Sequence, residues 1–267
     1  MDPLDQSDPL DTFVVIPTYN ESDNLSELVG QILALPLAVS IVVVDDNSPD
    51  GTGELAERFS REYPERVVVV HRPEKQGLGT AYLAGFRRAL ELGARRVMTM
   101  DADFSHHPRY IPDLIALSQE KDLVIGSRYV KGGGTLHCKP GRLVLSWVAN
   151  LAARAALGLH ARDTTAGFRL YRREVLETIP LHSIFSSGYS FLVEMLYLVQ
   201  EGGWRVGETP IVFEDRRAGA SKISRREVGK ALYTVARLSA RRLRRAGRAA
   251  IGLPQPAPSR EGRRPVG

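Results

Sequence analysis

Arg96-Val97-Met98-Thr99-Met100-Asp101-Ala102-Asp103 is an apolar segment that ends in two carboxylates. The apolar run is typical of a buried strand, and the two aspartates come where that strand ends. Their i, i+2 spacing places them on one face of a strand, and in a turn they can converge on one point. Convergent carboxylates at the carboxyl end of a buried strand suit a divalent metal that carries phosphates. The alternative is a solvated turn, in which Asp is common.

Short apolar segments alternate with amphipathic segments on both sides of this run. The predicted strands are Thr12–Ile16, Ser40–Val44, Val67–Val70, Val97–Met100 and Leu123–Ile125, and the predicted helices are Asn24–Leu35, Thr52–Phe59, Gly77–Leu92 and Pro108–Ser118. Continuous apolar strands that alternate with helices predict a parallel sheet covered on both faces. We therefore expect an α/β fold with a mostly parallel central sheet flanked by helices.

The second half of the chain is less regular. Its predicted elements are a flexible loop (131–134), helices at Leu143–Leu159, Ser190–Gln200 and Lys230–Arg248, and strands at Gly167–Tyr171, Val206 and Ile211–Phe213. The expected organisation is a disordered acidic N-terminus (1–11), one globular domain (12–224), a basic amphipathic helix (225–250) and a disordered tail (251–267).

Composition excludes several classes of protein. With 43% hydrophobic and 25% charged residues, the 267-residue chain is of ordinary globular type. The single Cys138 excludes an intrachain disulfide and a cysteine-based zinc cluster, and a passive thiol is expected. Neither a signal segment nor about 20 uninterrupted apolar residues is present. We therefore expect a cytoplasmic protein without a transmembrane segment, not a secreted one.

Positive charge is concentrated toward the end of the chain. The net charge is +5, and Lys and Arg are dense from Lys222 onward. In the predicted C-terminal helix, one face carries Val228, Leu232, Val235 and Leu238, and the arginines around it are Arg237, Arg241, Arg242, Arg244 and Arg245. Salt-sensitive binding to anionic lipid is one interpretation, and a helix docked on the domain with a solvated basic face is the other. Nucleic-acid binding has weaker support, because basic charge alone is its only warrant.

Polar residues follow each of the early predicted strands. These segments are Pro17-Thr18-Tyr19-Asn20-Glu21, Asp45-Asp46-Asn47-Ser48-Pro49-Asp50-Gly51-Thr52, Asp101-Ala102-Asp103 and Gly126-Ser127-Arg128. Three acidic clusters on one edge repel one another without a cation. A metal, or a ligand with several donors such as a base and a ribose, is therefore expected there. The glycine patterns of dinucleotide-binding and P-loop proteins are absent.

A basic loop further along the chain could oppose these carboxylates. Asp215-Arg216-Arg217-Ala218-Gly219-Ala220-Ser221-Lys222 places cationic side chains on both sides of a glycine. Arginine offers bidentate contacts to a phosphate and lysine a point charge, so the loop could close over a diphosphate. The alternative is an ordinary solvated surface loop.

Taken in order, these motifs resemble a known family. Further matching segments are Gly77-Leu78-Gly79-Thr80-Ala81-Tyr82, Phe104-Ser105-His106-His107-Pro108, Gly167-Phe168-Arg169-Leu170-Tyr171-Arg172 and Ser187-Gly188-Tyr189. From about Thr12 to about Ser224, the chain resembles the dolichyl- or polyprenyl-phosphate mannose synthases, within the inverting family 2 glycosyltransferases of GT-A fold. The segment Asp101–Pro108 and the loop Arg216–Lys222 are the parts most specific to that branch.

The resemblance implies roles for individual residues. Pro17, Tyr19 and Glu21, with Val44 and Asp46, would hold the nucleotide base and ribose. The Asp101-Ala102-Asp103 segment would bind Mg²⁺ or Mn²⁺ bridging the donor diphosphate, with Ser105 standing where some members carry a glutamine ligand. Arg128, Arg216 and Lys222 would meet phosphate oxygens, and Asp163 would help to shape the acceptor site.

The implied reaction transfers mannose from GDP-mannose to a polyprenyl phosphate with inversion. A phosphate monoester is largely a dianion at neutral pH, so no general base is required, and a structural role is expected for His106 and His107. The implied partners are the donor, the acceptor, and a membrane surface or membrane-anchor subunit, the enzyme being peripheral on the cytosolic face. Alternatives are transfer of glucose or N-acetylhexosamine from a UDP-sugar, a non-catalytic nucleotide-sugar binder, and a nucleic-acid-binding protein.

Overall fold

The computed structural model describes residues 11–138, 140–188, 190–215 and 225–250. The strands are β1 (Thr12–Thr18), β2 (Val39–Asp45), β3 (Val67–His71), β4 (Arg96–Thr99), β5 (Leu123–Ser127), β6 (Gly134–Leu136), β7 (Arg169–Arg172), β8 (Val206–Pro210) and β9 (Val212–Glu214). The helices are α1 (Ser22–Leu33), α2 (Thr52–Glu62), α3 (Leu78–Glu91), α4 (Ile111–Leu117), α5 (Pro140–Leu157), α6 (Arg173–Thr178), α7 (Ser190–Glu201) and α8 (Arg225–Ala250).

Seven strands of the described chain form one sheet in the order β3-β2-β1-β4-β7-β5-β8. All neighbouring pairs in it are parallel except those of β7, which runs antiparallel to both β4 and β5. The predicted mostly parallel sheet is therefore confirmed. Because β7 is reversed, the segment before it (163–168) enters the sheet at the edge where β4 and β5 end.

Alternate residues of the buried strands feed two hydrophobic layers, one on each face of the sheet. Val15 of β1 belongs to the layer under α3 and α7, whereas Val14 and Ile16 belong to the layer under α1. Helix α3 lies very close to β1, since a Cβ on Gly85 would stand 2.2 Å from Val15 Cγ1. Only glycine permits this approach, which holds the middle of α3 directly against β1.

Two expectations about irregular segments are corrected. The loop predicted at 131–134 ends in a strand, because Gly134–Leu136 (β6) pairs in parallel with β9 as a separate two-stranded sheet. Asp11, assigned to the disordered N-terminus, has an ion pair with Arg96, and its carbonyl accepts hydrogen bonds from Arg95 and Arg96. The rest of that segment (1–10) and the predicted tail (251–267) lie outside the described residues.

Helix α8 packs on α5 and α7 through part of the predicted apolar face. Leu238 and Thr234 are buried and Val235 packs against the core, but Leu232 is 67% exposed, so its predicted place on the same face as Leu238 is wrong. The two leucines are six positions apart, and a repeat of 3.6 residues per turn separates them around the helix. The side chain of Val228 lies outside the described set.

Most of the arginines assigned to the basic face of α8 contact the protein itself. Arg241 Nη2 and Arg245 Nη1 each lie 2.7 Å from a carboxylate oxygen of Glu201 on α7. Arg242 Nη1 donates to the Ala156 carbonyl at 3.3 Å, and Arg237 lies 3.9 Å above the ring centroid of Phe185. These contacts favour the docked-helix interpretation. Among the described residues, no helix is long and apolar enough to cross a membrane.

Candidate active site

The carboxyl ends of the parallel strands bring the polar segments to one edge of the sheet. Thr18 ends β1 beside Asp45 of β2, with Thr18 Oγ1 donating to Asp45 Oδ1 at 3.0 Å. Asp45 Oδ2 and Oδ1 also accept hydrogen bonds from the backbone and hydroxyl of Ser48, at 3.0 and 2.6 Å. Asp45 therefore fixes the turn after β2, whereas the neighbouring Asp46 takes no part in these hydrogen bonds.

Asp46 is buried at this edge and forms an ion pair with Arg72, whose Nη1 lies 2.9 Å from Oδ1. Burial raises the pKa of Asp46, although Arg72 and Lys75 act in the opposite direction. Arg72 also donates to Thr80 Oγ1 at 2.7 Å, so it joins β3 to the first turn of α3. Sequence reasoning missed Arg72, because nothing in its local pattern indicates a carboxylate partner 26 residues earlier.

Tyr19 and Glu21 lie in the turn that follows β1. Tyr19 is 37% exposed, and Lys75 Nζ lies 4.1 Å from the centroid of its ring. The Glu21 backbone N–H donates to Thr52 Oγ1 at 3.0 Å, and its Oε2 accepts from Asn24 Nδ2 at 2.9 Å. An exposed aromatic face beside a buried carboxylate can accommodate a base and a ribose.

Pro17 and Val44 are paired across β1 and β2 at the same edge. The Val44 side chain is fully buried and points toward α3, where its Cγ2 would stand 3.1 Å from a Cβ on Gly85. Any contact between Val44 and a nucleotide would therefore use its backbone. Pro17 is partly exposed.

Asp101 is held at the end of β4 by a buried phenol. Tyr82 Oη donates to Asp101 Oδ1 at 2.9 Å, and burial together with Asp101 places the pKa of Tyr82 well above its ordinary value. The phenol therefore remains a donor at neutral pH. Gly167, just before β7, lies against the same carboxylate, since a Cβ there would stand 3.4 Å from Asp101 Oδ2.

Asp103 is buried two residues after Asp101, in the bend that follows β4. Its Oδ1 accepts a hydrogen bond from the Ser105 backbone N–H at 3.1 Å, and both residues are nearly inaccessible to solvent. Phe104 between them has φ of 60°, a left-handed conformation uncommon for a bulky residue. Its ring is buried, which offsets the strain of that turn. Ala102 is also buried.

His106 and His107 have contacts typical of structural residues. The buried His106 accepts from the Asp101 backbone N–H through Nδ1 at 3.3 Å and stacks on Phe168 with 5.3 Å between ring centroids. Burial lowers the pKa of His106 below its ordinary value, against the opposing charges of Asp101 and Asp103. His107 Nδ1 accepts from the Arg109 backbone and begins the turn 108–110.

The aspartate pair fits a divalent cation that is shared with a phosphate ligand. Within the described ranges, no three His, Cys, Asp or Glu side chains form a metal cage by themselves. Mg²⁺ in nucleotide sites is commonly held by one or two carboxylates, with substrate phosphates and water completing its coordination. Asp101 is partly exposed, with 28% of its side-chain surface accessible, and can present oxygen to such an ion.

Arg128, directly after β5, is held by a buried carboxylate. Its Nε lies 2.7 Å from Asp163 Oδ2 and its Nη2 lies 2.8 Å from Oδ1, while Nη2 also donates to Thr165 Oγ1 at 2.9 Å. Desolvation acts to lower the pKa of Arg128, but Asp163 outweighs it and the pKa is raised. Nη1 takes no part in these hydrogen bonds. The remaining predicted phosphate-binding residues, Arg216 and Lys222, lie outside the described residues.

Helix α5 carries an apolar surface that sequence reasoning did not assign to the site. Its exposed residues Val144, Trp147, Val148 and Leu151 are spaced i, i+3, i+4, i+7, and we call them the α5 stripe. Trp147 is 57% exposed. In the sequence, Ser146, Asn150 and Arg154 interrupt the apolar run of this helix and indicate only that it does not span a membrane. Which side of α5 faces solvent, and where these polar residues lie relative to the α5 stripe, is seen only in the folded chain.

This edge, with its carboxylate pair, exposed aromatic ring and anchored arginine, is suited to an enzyme that binds a nucleotide-linked, phosphate-bearing substrate. The model of glycosyl transferase family 2 matches residues 13–180, and the chain belongs to that family. It is therefore a glycosyltransferase.

Two curated relatives align over most of the chain. One is the polyprenol monophosphomannose synthase of Mycolicibacterium smegmatis, 46% identical over 226 residues, which are 84% of this chain and 85% of the relative. The other is the undecaprenyl-phosphate mannosyltransferase of Micrococcus luteus, 44% identical over 223 residues, which are 84% of this chain and 91% of the relative.

Solved structures share the fold at lower identity. Mannosyl-3-phosphoglycerate synthase from Rubrobacter xylanophilus superposes with a TM-score of 0.63 at 23% identity, covering 90% of this chain and 75% of the other. Glucosyl-3-phosphoglycerate synthase from Mycobacterium tuberculosis, crystallised with Mn²⁺, UDP-glucose and phosphoglyceric acid, gives a TM-score of 0.59 at 21% identity, covering 91% and 80%. The predicted α/β fold of GT-A type is thereby confirmed.

Proposed function

We propose that the protein transfers mannose from GDP-mannose to a polyprenyl phosphate with inversion, giving polyprenyl-phosphate mannose. The observation that carries the proposal is the pairing, on one sheet edge, of a carboxylate pair after β4 with an anchored arginine after β5. The first suits the diphosphate of a sugar donor and the second suits the phosphate of an acceptor. The names of the two relatives support mannose and a polyprenyl acceptor.

The donor would lie over β1, β2 and β4. Tyr19, Glu21 and Asp46 would face the base and ribose, with Pro17 and the Val44 backbone beside them. Asp101 and Asp103, with Ser105 as a further candidate ligand, would hold Mg²⁺ or Mn²⁺ against the diphosphate. That ion would stabilise the charge of the leaving GDP. Tyr82 orients Asp101 for this task through its hydrogen bond.

The acceptor phosphate would lie on the β5 side of the same edge. One of its oxygens attacks C1 of mannose, the bond from C1 to the diphosphate oxygen breaks, and the electron pair leaves with GDP. The phosphate is already ionised, so no protein base is needed. Arg128 would offset the repulsion between the two anionic substrates, and Arg216 and Lys222 would add positive charge from their loop.

The α5 stripe supports peripheral contact with a membrane surface, where a polyprenyl chain resides. An exposed apolar stripe with a large aromatic residue is typical of helices that lie in the interface of a bilayer. A membrane-anchor subunit could cover the same stripe. Flotation with neutral vesicles separates the two, since the Val144→Ser/Leu151→Ser variant should float less than the wild type. Leu243→Ser, at an exposed leucine of α8, is the matched control and should float normally.

The decisive test is a transfer assay with undecaprenyl phosphate in vesicles, Mn²⁺, and labelled GDP-mannose, UDP-glucose or UDP-N-acetylglucosamine. We expect a lipid-linked product from GDP-mannose only. Asp103→Asn should reduce transfer at least 100-fold, whereas Asp113→Asn, at an exposed aspartate of α4, should leave it unchanged. A product from a UDP-sugar alone would establish the other hexosyltransferase activity, and transfer by Asp103→Asn at the normal rate would contradict the metal assignment.

A further inference from the structure

Asn150 is a buried carboxamide on the inner side of α5, away from the α5 stripe. Its Oδ1 accepts two hydrogen bonds from Thr164, one from the backbone N–H and one from Oγ1, both at 2.7 Å. Its Nδ2 donates to the Ser146 carbonyl at 2.9 Å and to Thr165 Oγ1 at 3.2 Å. Both Nδ2 hydrogens and the Oδ1 atom of Asn150 are therefore engaged in hydrogen bonds.

The orientation of this carboxamide is fixed by its partners. A backbone N–H can only donate and a carbonyl can only accept, so Thr164 N–H must face Oδ1 and the Ser146 carbonyl must face Nδ2. The remaining Nδ2 hydrogen is then directed at Thr165. No flipped orientation preserves these contacts.

Thr165 connects Asn150 to the arginine of the site. Its Oγ1 accepts one hydrogen bond from Asn150 Nδ2 and another from Arg128 Nη2, at 3.2 and 2.9 Å. A hydroxyl oxygen has two acceptor sites, so both are occupied and the rotamer of Thr165 is determined from two directions. Without Asn150, one of these directions is lost and Thr165 can turn away from Arg128.

The loop that carries Thr165 (residues 162–166) is also held by residues outside α5. Glu208 of β8 accepts from the backbone N–H groups of Arg162 and Asp163, at 2.8 and 2.9 Å. The fully buried Arg169 donates to the carbonyls of Thr164 and Ala166, both at 2.8 Å. Glu208 and Arg169 thus hold the loop backbone on both sides of the Thr164 N–H that Asn150 binds, whereas the Thr165 hydroxyl receives its second contact from Asn150.

We infer that Asn150 is a positioning residue for the acceptor phosphate, acting on Arg128 through the Thr165 hydroxyl. The inference rests on the proposed function, in which Arg128 binds that phosphate. Asp163 accepts hydrogen bonds from Nε and Nη2 of the Arg128 guanidinium, and Thr165 accepts a further one from Nη2 on the side of α5. Together they determine where Nη1 is presented to a ligand.

The kinetic test compares Asn150→Ala with Gln200→Ala. Gln200 on α7 is a matched control, because its carboxamide also joins a helix to the neighbouring segment, donating to the Gly158 carbonyl and accepting from His160 N–H. Both variants should lower the melting temperature by a few degrees. Only Asn150→Ala should raise KM for undecaprenyl phosphate, by about 10-fold, with KM for GDP-mannose changed less than about twofold.

A second pair of variants tests the connection without disturbing α5. Thr165→Val keeps the shape of the side chain but removes the acceptor oxygen, and should reproduce the KM change of Asn150→Ala. Thr165→Ser restores the oxygen and should restore KM. Because both changes break one connection, the double variant Asn150→Ala/Thr165→Val should be no worse than Thr165→Val alone. Additive losses would overturn the inference.

A measurement independent of activity keeps the inference separate from the proposed function. Hydrogen exchange of the Arg128 Nε–H, followed by NMR and assigned with Arg128→Lys, should be about 10-fold faster in Asn150→Ala and unchanged in Gln200→Ala. Equal exchange and equal acceptor KM in the two variants would overturn the inference while the proposed function stands. Wild-type protein that transfers no sugar to undecaprenyl phosphate would refute the proposed function, and the exchange rates would still decide the effect on Arg128.

Discussion

The guanidinium of Arg128 and the carboxylate of Asp163 form a two-point ion pair in which Asp163 is fully buried. The two residues are 35 positions apart, and they join the end of β5 to the segment that enters β7. The Arg128 backbone N–H donates to the same carboxylate at 3.1 Å. Asp163 therefore fixes both the backbone and the side chain of Arg128.

Removal of this buried charge should weaken the whole domain. Asp163→Ala leaves Arg128 without its counter-ion and should lower the free energy of unfolding by about 3 kcal/mol, measured in urea. Glu177→Ala, which breaks the surface pair with Arg173, should lower it by less than about 0.5 kcal/mol. Similar losses in the two variants would show that the Asp163 pair has no special weight.

Tyr82→Phe should weaken metal binding more than it weakens the fold. The change removes the hydrogen bond to Asp101 but leaves the ring packing, so the Mn²⁺ concentration for half-maximal transfer should rise about 10-fold. Tyr171→Phe is the matched control, because the buried Tyr171 hydroxyl has no hydrogen-bond partner among the described residues. It should leave Mn²⁺ dependence unchanged and unfolding free energy the same or slightly higher. An unchanged Mn²⁺ requirement in Tyr82→Phe would refute the supporting role.

Asp50 should contribute acid-sensitive stability. Burial acts to raise its pKa, but hydrogen bonds from Thr52 and Ser22 outweigh burial and lower the pKa to about 2. A carboxyl group whose pKa is lower in the folded state than in the unfolded state stabilises the fold at pH values above its unfolded pKa. This contribution is lost as the pH falls from about 4 to 2. Because Asp50 is exposed, about 0.5 kcal/mol is expected. Urea unfolding at pH 5 and pH 2.5 should show a larger drop for wild type than for Asp50→Asn, and parallel drops would contradict this.

Glu201 should hold α8 on the domain. Glu201→Gln keeps the shape but removes the charge that lies between Arg241 and Arg245, so amide hydrogen exchange in residues 230–245 should become about 5-fold faster. High salt should have a similar effect on the wild type. The control Glu91→Gln, at an exposed pair with Arg88, should not alter exchange in α8. An α8 that exchanges at the same rate in Glu201→Gln would show that apolar packing alone holds it.

The strands could be predicted because their local signal is strong. β1, β2 and β5 are buried over nearly their whole length, and each is a continuous apolar run bounded by polar residues. The reversed direction of β7 could not be predicted, because the alternating pattern of Arg169–Arg172 indicates a strand but not whether it runs parallel or antiparallel to its neighbours. Its direction follows from tertiary pairing with β4 and β5.

The site residues that could be predicted are likewise those with a local sequence signal, whereas those that depend on distant contacts could not. Asp101 and Asp103 could be predicted because they directly follow a strand, and their position at the edge is as expected. Arg72 and Asn150 could not, because their partners are fixed only when distant segments meet. In sequence, Asn150 is a polar interruption of an apolar helix, whereas in the structure it is a fully bonded connection to the Asp163–Thr165 loop. The roles of Arg216 and Lys222 stay predictions.

The insertion of β7 between β4 and β5 sets a distance that side chains cannot change. Neighbouring strands lie about 4.8 Å apart, so β4 and β5 are separated by about 10 Å at the edge where their polar residues emerge. Backbone hydrogen bonds of β7 maintain this gap from both sides. The two halves of the edge can therefore diverge independently in sequence. Under the proposed function, substitutions around β5 and α5 would alter which acceptor is bound, while the spacing to the carboxylates after β4 stays constant.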